Sequence, residues 1–167
     1  MGKKCKILLL NPPSDNAIQQ LEPLRDIVSA NIENVNIVMP NASVRNDISG
    51  FVKREAVDLM VTFDLYGFER STLAGGLSYN LLPCKQIHII TEKNLPNEKY
   101  LENPLSIAMF FYCTEESLYH YLLGKYPDLP YLETLKGWKK ENGTDCVQQN
   151  AEALCKVIEE VIDICHL

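Results

Sequence analysis

The sequence predicts an α/β domain, a three-layer sandwich with a five-stranded, mostly parallel sheet between helices and two helices at the C-terminal end. Three observations predict it. Short apolar runs alternate along the chain with segments of helical spacing. The run Val57-Asp58-Leu59-Met60-Val61-Thr62-Phe63 is nearly continuous in apolar residues, as expected of a parallel strand covered on both faces. A chain of 167 residues with 46% apolar and 23% charged residues can close one sizeable core.

Residues 6–10 read as the first strand, ended by Asn11-Pro12-Pro13-Ser14-Asp15-Asn16. Its apolar run, Ile7 to Leu10, is too short for the hydrophobic region of a signal peptide. Lys6, where a Ser or Thr is needed, argues against a myristoylation signal at Gly2. Ile18, Leu21, Leu24, Ile27 and Val28 then fall at helical spacing. Pro23 leaves two placements open: a helix from near Asp15 that kinks, or one beginning at Pro23 after a longer loop. Residues 35–39 are the second strand, stopped by Pro40 and Asn41. A short helix over about 45–55 puts Ile48, Phe51 and Val52 on one face. Residues 57–63 are the third strand. A helix is expected within 71–82, weakened by Gly75-Gly76 at roughly 1 kcal/mol per glycine. Residues 86–91 are the fourth strand, 92–104 a polar loop and 105–113 the fifth strand.

Thr114 reads as the cap of the next helix, with Glu115 and Glu116 suiting its positive N-terminus. Residues 126–143 form a Pro- and Tyr-bearing connection around Trp138. The last helix starts at Asp145, with Gln148 completing a capping-box-like pair, and its stripe runs Val147, Ala151, Leu154, Ile158, Val161, Cys165. A single domain over 1–167 is expected, with 1–125 as the core and 126–167 as the C-terminal connection and helix.

The net charge of −6 and pI near 5.1 argue against nucleic acid or an anionic membrane as partner, since both attract a basic face. No apolar run approaches the ~20 residues of a membrane span. Six cysteines (Cys5, Cys84, Cys113, Cys146, Cys155 and Cys165) form no C-x-x-C pair and no zinc spacing with histidine. They read as reduced thiols of a cytoplasmic protein. G-x-G-x-x-G, the P-loop and the G-x-S-x-G elbow are missing, so no dinucleotide or P-loop cofactor is expected.

The expected strand order is 2-1-3-4-5, as in flavodoxin-like and Rossmann-like domains, where ligands bind beyond the carboxyl ends of strands one and three. That edge gathers Asn11, Ser14, Asp64, Glu69, Arg70, Ser71, Thr72, Thr91 and Cys113. Asp64, at a partly desolvated strand end, is the candidate acid or base, with Glu69 as a second carboxylate. Asn11, Ser14, Arg70, Ser71, Thr72 and Thr91 are candidate substrate-binding groups, and the Ser71 and Thr72 hydroxyls could equally cap a helix. Cys113 is the candidate nucleophile, at a helix N-terminus that lowers a thiol pKa but beside Glu115 and Glu116, which raise it. His88 lies about 10 Å below Thr91 along its strand and reads as a core histidine more readily than a catalytic one. Magnesium could be held by Asp64 with Glu69 or Asp15.

Residues 5–113 resemble a response-regulator receiver domain in outline. The run from Val57 to Asp64 is similar to the strand that presents a phospho-acceptor aspartate, and Thr91 stands where such domains place a switch hydroxyl. The acidic pair that follows strand one in that family is replaced by Asn11-Pro12, and Cys113 stands in place of its lysine. The resemblance therefore implies a pseudo-receiver that binds without being phosphorylated. Asn11-Pro12-Pro13 followed by Ser71 to His88 is also similar in layout to type II dehydroquinases, without their lid arginine and tyrosine.

Two functions follow as expectations. One is a small-molecule enzyme (a hydrolase, transferase or lyase) acting on a sugar-, nucleotide- or phosphate-like metabolite by acid–base or group-transfer chemistry. The alternative is a non-catalytic ligand-binding or signalling module of pseudo-receiver type. Tyr112, Tyr119, Tyr121, Tyr126, Tyr131 and Trp138 suggest a pocket wall or a homodimer contact through the C-terminal aromatic and helical region.

Overall fold

The computed structural model describes residues 4–10, 15–39, 47–65, 82–95, 97–102, 107–139 and 144–167. The strands are β1 (Cys5–Leu9), β2 (Val35–Val38), β3 (Leu59–Phe63), β4 (Lys85–Ile90), β5 (Met109–Cys113) and β6 (Leu132–Thr134). They form one sheet in the order β2-β1-β3-β4-β5-β6, and every pairing is parallel. The helices are α1 (Asp15–Asn31), α2 (Ile48–Arg54), α3 (Glu116–Lys125) and α4 (Thr144–Cys165), with a 3-10 turn at Glu98–Glu102. This is the flavodoxin-like, receiver-like α/β layout with a strand added at the β5 edge.

The pattern of burial follows from the crossovers. A right-handed connection to β2 on one side of β1, and another to β3 on its other side, puts successive helices on opposite faces. Leu24 and Val28 of α1 and Leu154, Ile158 and Val161 of α4 cover Ile7, Val61, Ile87 and Tyr112 on one face. Ile48 and Val52 of α2 and Leu118 and Leu122 of α3 cover Leu8, Met60, Ile90 and Phe111 on the other. With both faces covered, all five residues of β3 and of β5 are buried. The edge strands β2 and β6 retain exposed positions.

Three details differ from the sequence expectation. The described residues form six strands where five were expected, because β6 lies inside the connection assigned to 126–143. Three residues, starting two places after Pro130, are too short to show a strand period. What makes them a strand is their partner: Phe111 N–H donates to Tyr131 O at 3.0 Å, and Leu135 N–H to Cys113 O at 2.7 Å. Helix α1 begins at Asp15 and contains Pro23, so the earlier of the two placements is the observed one. Helix α3 takes Glu115 as its N-cap without a side-chain bond, while the Thr114 hydroxyl donates to Ile90 O at 3.2 Å. Helix α4 starts at Thr144, which places Asp145 inside it. The helix expected within 71–82 lies outside the described residues, apart from Leu82.

Leu59 is fully buried at the β1–β3 pairing, opposite Ile7. Leu59→Ala is expected to cost about 2–5 kcal/mol, read as a lower urea midpoint at an unchanged m-value.

Candidate functional site

The carboxyl ends of β3, β4 and β5 lie side by side, set by the pairs Phe63↔Ile89 and Ile90↔Cys113. Asp64 follows β3 directly. Its Oδ1 accepts the backbone N–H of Thr91 at 2.6 Å and that of Glu92 at 3.2 Å. Its Oδ2 accepts the Thr91 hydroxyl at 2.6 Å. Two residues picked from the sequence, Asp64 and Thr91, are thus in direct contact. Glu92, which joins them through its backbone, carries no sequence signal for this role.

The backbone here is strained. Asp64 has φ of 50° and Leu65 has φ of 57°. Left-handed backbone costs a non-glycine residue roughly 1–2 kcal/mol, with aspartate better able to adopt it than leucine. The turn is held by the Asp64 bonds, by full burial of Leu65, and by the Asn97 side-chain amide donating to Leu65 O at 3.3 Å. Burial raises the Asp64 pKa above its usual value, and the bonds from Thr91 and Glu92 oppose that shift without cancelling it.

Cys113 ends β5 and is fully buried. Burial pushes its thiol up to about 12, so it stays protonated at neutral pH. His88 lies inside the sheet on the α2–α3 face. Its Nδ1 is 2.7 Å from the Thr62 hydroxyl and its Nε2 is 3.2 Å from Gln86 Oε1. Because Gln86 Oε1 can only accept, Nε2 carries the proton and Nδ1 accepts from Thr62. The ring also stacks on Phe111, with centroids 5.0 Å apart. Burial lowers the His88 pKa to about 3. This is a buried chain of neutral polar groups within the sheet.

Asn11, Ser14, Glu69, Arg70, Ser71 and Thr72 lie outside the described residues. Among the described residues, no group of three or more His, Cys, Asp or Glu could hold a metal ion. No helix among them is long and apolar enough to cross a membrane. The aromatic run separates onto two faces. Tyr112, Tyr131 and Trp138 join the α1–α4 layer, whereas Tyr119, Tyr121 and Tyr126 join the α2–α3 layer.

No family model matches the sequence, and no curated protein matches it. Among solved structures, the chain is similar to the signal receiver domain of a protein from Vibrio parahaemolyticus described as a LuxO repressor. The identity is 14%, the match covers 96% of this chain and 91% of that one, and the TM-score is 0.45. The receiver-like layout stands on the strand order of the chain itself.

Two predictions follow from these environments. The folded-state pKa of His88 lies below its ordinary 6.5, so its contribution to stability is full above pH 6.5 and is lost as pH falls towards about 3. Unfolding free energies from urea melts between pH 7.5 and 5 should fall less steeply in His88→Gln than in the native chain, by up to about 1.4 kcal/mol per pH unit. A maleimide should label Cys146 and Cys165, which are partly exposed, in the folded protein. Cys113 and Cys84, both buried, should react only after denaturation, as peptide mass mapping would show.

Proposed function

We propose that the chain is a non-catalytic ligand-binding or signalling module of pseudo-receiver type, with its ligand at the carboxyl ends of β1 and β3. The observation that carries this reading is the Asp64–Thr91 latch. Both oxygens of the carboxylate serve Thr91 and Glu92, and they hold the β3 turn in a strained, left-handed conformation. Strain kept in place by a few bonds at a strand end is a device that a ligand can bias. A group that competed for the Thr91 hydroxyl would release the turn, and the strain would favour that release.

The chemistry around the latch supports binding over phosphorylation. A buried thiol, Cys113, ends β5 where a receiver has its lysine, so no cation is supplied from that strand end to a phosphoryl group. Asn11-Pro12 stands in place of the acidic pair that would hold magnesium.

A second reading, an enzyme using Asp64 as acid or base on a polar metabolite, is favoured by the raised pKa of that carboxyl. The two readings separate at Asp64→Asn. The amide keeps an oxygen for the two backbone N–H groups and can donate to Thr91 Oγ1, whereas Asp64→Ala leaves all three donors without their acceptor. Asp64→Ala is expected to destabilise the fold by about 2 kcal/mol or more. In a thermal-shift screen of sugars, nucleotides and phosphorylated metabolites, a ligand of this site should raise Tm in the native chain and in Asp64→Asn, and not in Asp64→Ala. It should be recovered unchanged after incubation, and acetyl phosphate with magnesium should add no phosphoryl mass. Turnover abolished by Asp64→Asn would establish the enzyme reading instead.

A further inference from the structure

Among the described residues the sheet has two edges, β2 and β6. An edge strand presents backbone N–H and C=O groups to whatever lies beside it. On β2 the register decides which groups these are. Cys5 lies opposite Val35 and Ile7 opposite Ile37, and Cys5 N–H donates to Asn34 O at 2.9 Å. In a parallel ladder this commits the backbone of Asn34, Asn36 and Val38 to β1. The backbone groups of Val35 and Ile37 therefore point outward, and those of Met39 follow by the same alternation. None of these groups bonds to another described residue.

Edges are ordinarily guarded by charge, proline or brevity. Val35-Asn36-Ile37-Val38-Met39 contains no charged residue and no proline. Val35, Ile37 and Met39 pack on one core and Val38 on the other, yet all four are only partly buried, and Asn36 is exposed. β6 is the contrast. It has three residues with exposed Glu133 in the middle. Tyr131 O and Leu135 N–H are taken by β5, so its outward groups are those of Leu132 and Thr134. Two-fold antiparallel pairing through those groups would set Glu133 opposite its own copy, and like charges directly opposite destabilise a pair. The same operation on β2 meets no such conflict. Centred on Ile37, it sets Ile37 against Ile37 of a second copy, Val35 against Met39, and Asn36 against Val38.

We propose that β2 pairs antiparallel with β2 of a second copy of this chain, about a two-fold axis at Ile37. Ile37 exchanges a pair of backbone bonds with its counterpart, and Val35 and Met39 do so with one another on either side. The half-covered Val35, Ile37 and Met39 side chains then close over their copies on one face of a sheet that runs through both chains. Each β2 is used once, so association stops at a dimer. The Asp64 latch, on β3, lies beyond β1 from this contact and stays accessible.

The test is sedimentation velocity of the full chain over a dilution series reaching millimolar concentration, with amide hydrogen exchange read residue by residue at both ends of the series. A monomer–dimer equilibrium should appear, without larger species. The Val35, Ile37 and Met39 amides should exchange at least tenfold more slowly at the concentrated end. The Asn36 and Val38 amides, already bonded to β1, should be equally protected at both ends. Ile37→Lys brings two charges together at the axis and should weaken association at least tenfold. Asn36→Asp, at an exposed position that leaves the core intact, should also weaken it, and Glu133→Lys on the other edge should leave it unchanged. The proposal is overturned by a chain that stays monomeric at millimolar concentration or forms larger species. It is overturned too by a dimer in which the Val35, Ile37 and Met39 amides exchange as fast as in the monomer, as pairing through the C-terminal helices would give. A folded Ile37→Lys protein that dimerises normally overturns it as well, and where that variant does not fold the amide pattern of the native chain decides.

Discussion

Every residue of β3 is buried, and the strand lies between β1 and β4 with helices over both faces. A segment buried in this way has no solvent to complete its backbone bonds, so neighbouring chain must do so at both ends as well as along its length. Two aspartates accomplish this. Asp58, just before β3, accepts the Lys6 N–H on its carboxylate at 2.9 Å and donates its own N–H to Lys6 O at 2.9 Å, which joins the strand to β1. Asp64, just after it, donates its N–H to Ile89 O at 2.8 Å and accepts from Thr91 and Glu92, which joins it to β4. The carboxyl edge of the sheet is therefore organised by the same device that closes its central strand.

That dependence explains why the latch and the core cannot be separated. The αL pair Asp64–Leu65 sends the chain away from β3 with Leu65 returned to the core, and Asn97 closes over its carbonyl. One layer deeper, Thr62, His88 and Gln86 form a polar chain on the α2–α3 face, linking β3 to β4. Neutral groups can be buried there because each nitrogen of the imidazole has a partner. The α1–α4 face has the opposite arrangement. Tyr112 is buried there, its hydroxyl beside Tyr131 and Glu160 but without a well-aligned hydrogen bond among the described residues, and charged groups lie along an open groove nearby.

Much of the fold was legible in the sequence. The runs of apolar residues around Ile7, Ile37, Val61, Ile89 and Phe111 each became a strand, because two covered faces demand continuous hydrophobicity and leave a mark that survives without any alignment. Boundaries moved by one to four residues, most at the start of β5, where Ile107 is 88% exposed despite its apolar neighbours. β6 was not legible, since three residues become a strand only when β5 offers an unpaired edge. At the site, Asp64 stood out as a carboxylate ending an apolar run, and Thr91 as a hydroxyl ending the next strand. Their mutual contact, and the participation of the Glu92 backbone, depend on the β3–β4 register. Reading Cys113 as a thiol at a helix start missed its depth, which outweighs any pull from the helix.

The sequence by itself determined the alternation of strands and helices, the parallel sheet and the edge on which Asp64 and Thr91 lie, because periodicity and the ends of apolar runs are local properties. Only the tertiary structure decided what those groups do to one another. Whether a carboxylate is free or latched, and whether a thiol ionises, depend on residues tens of positions away, brought close by packing. Hydrogen bonding and desolvation act over such distances in space, and nothing in the order of the chain records them.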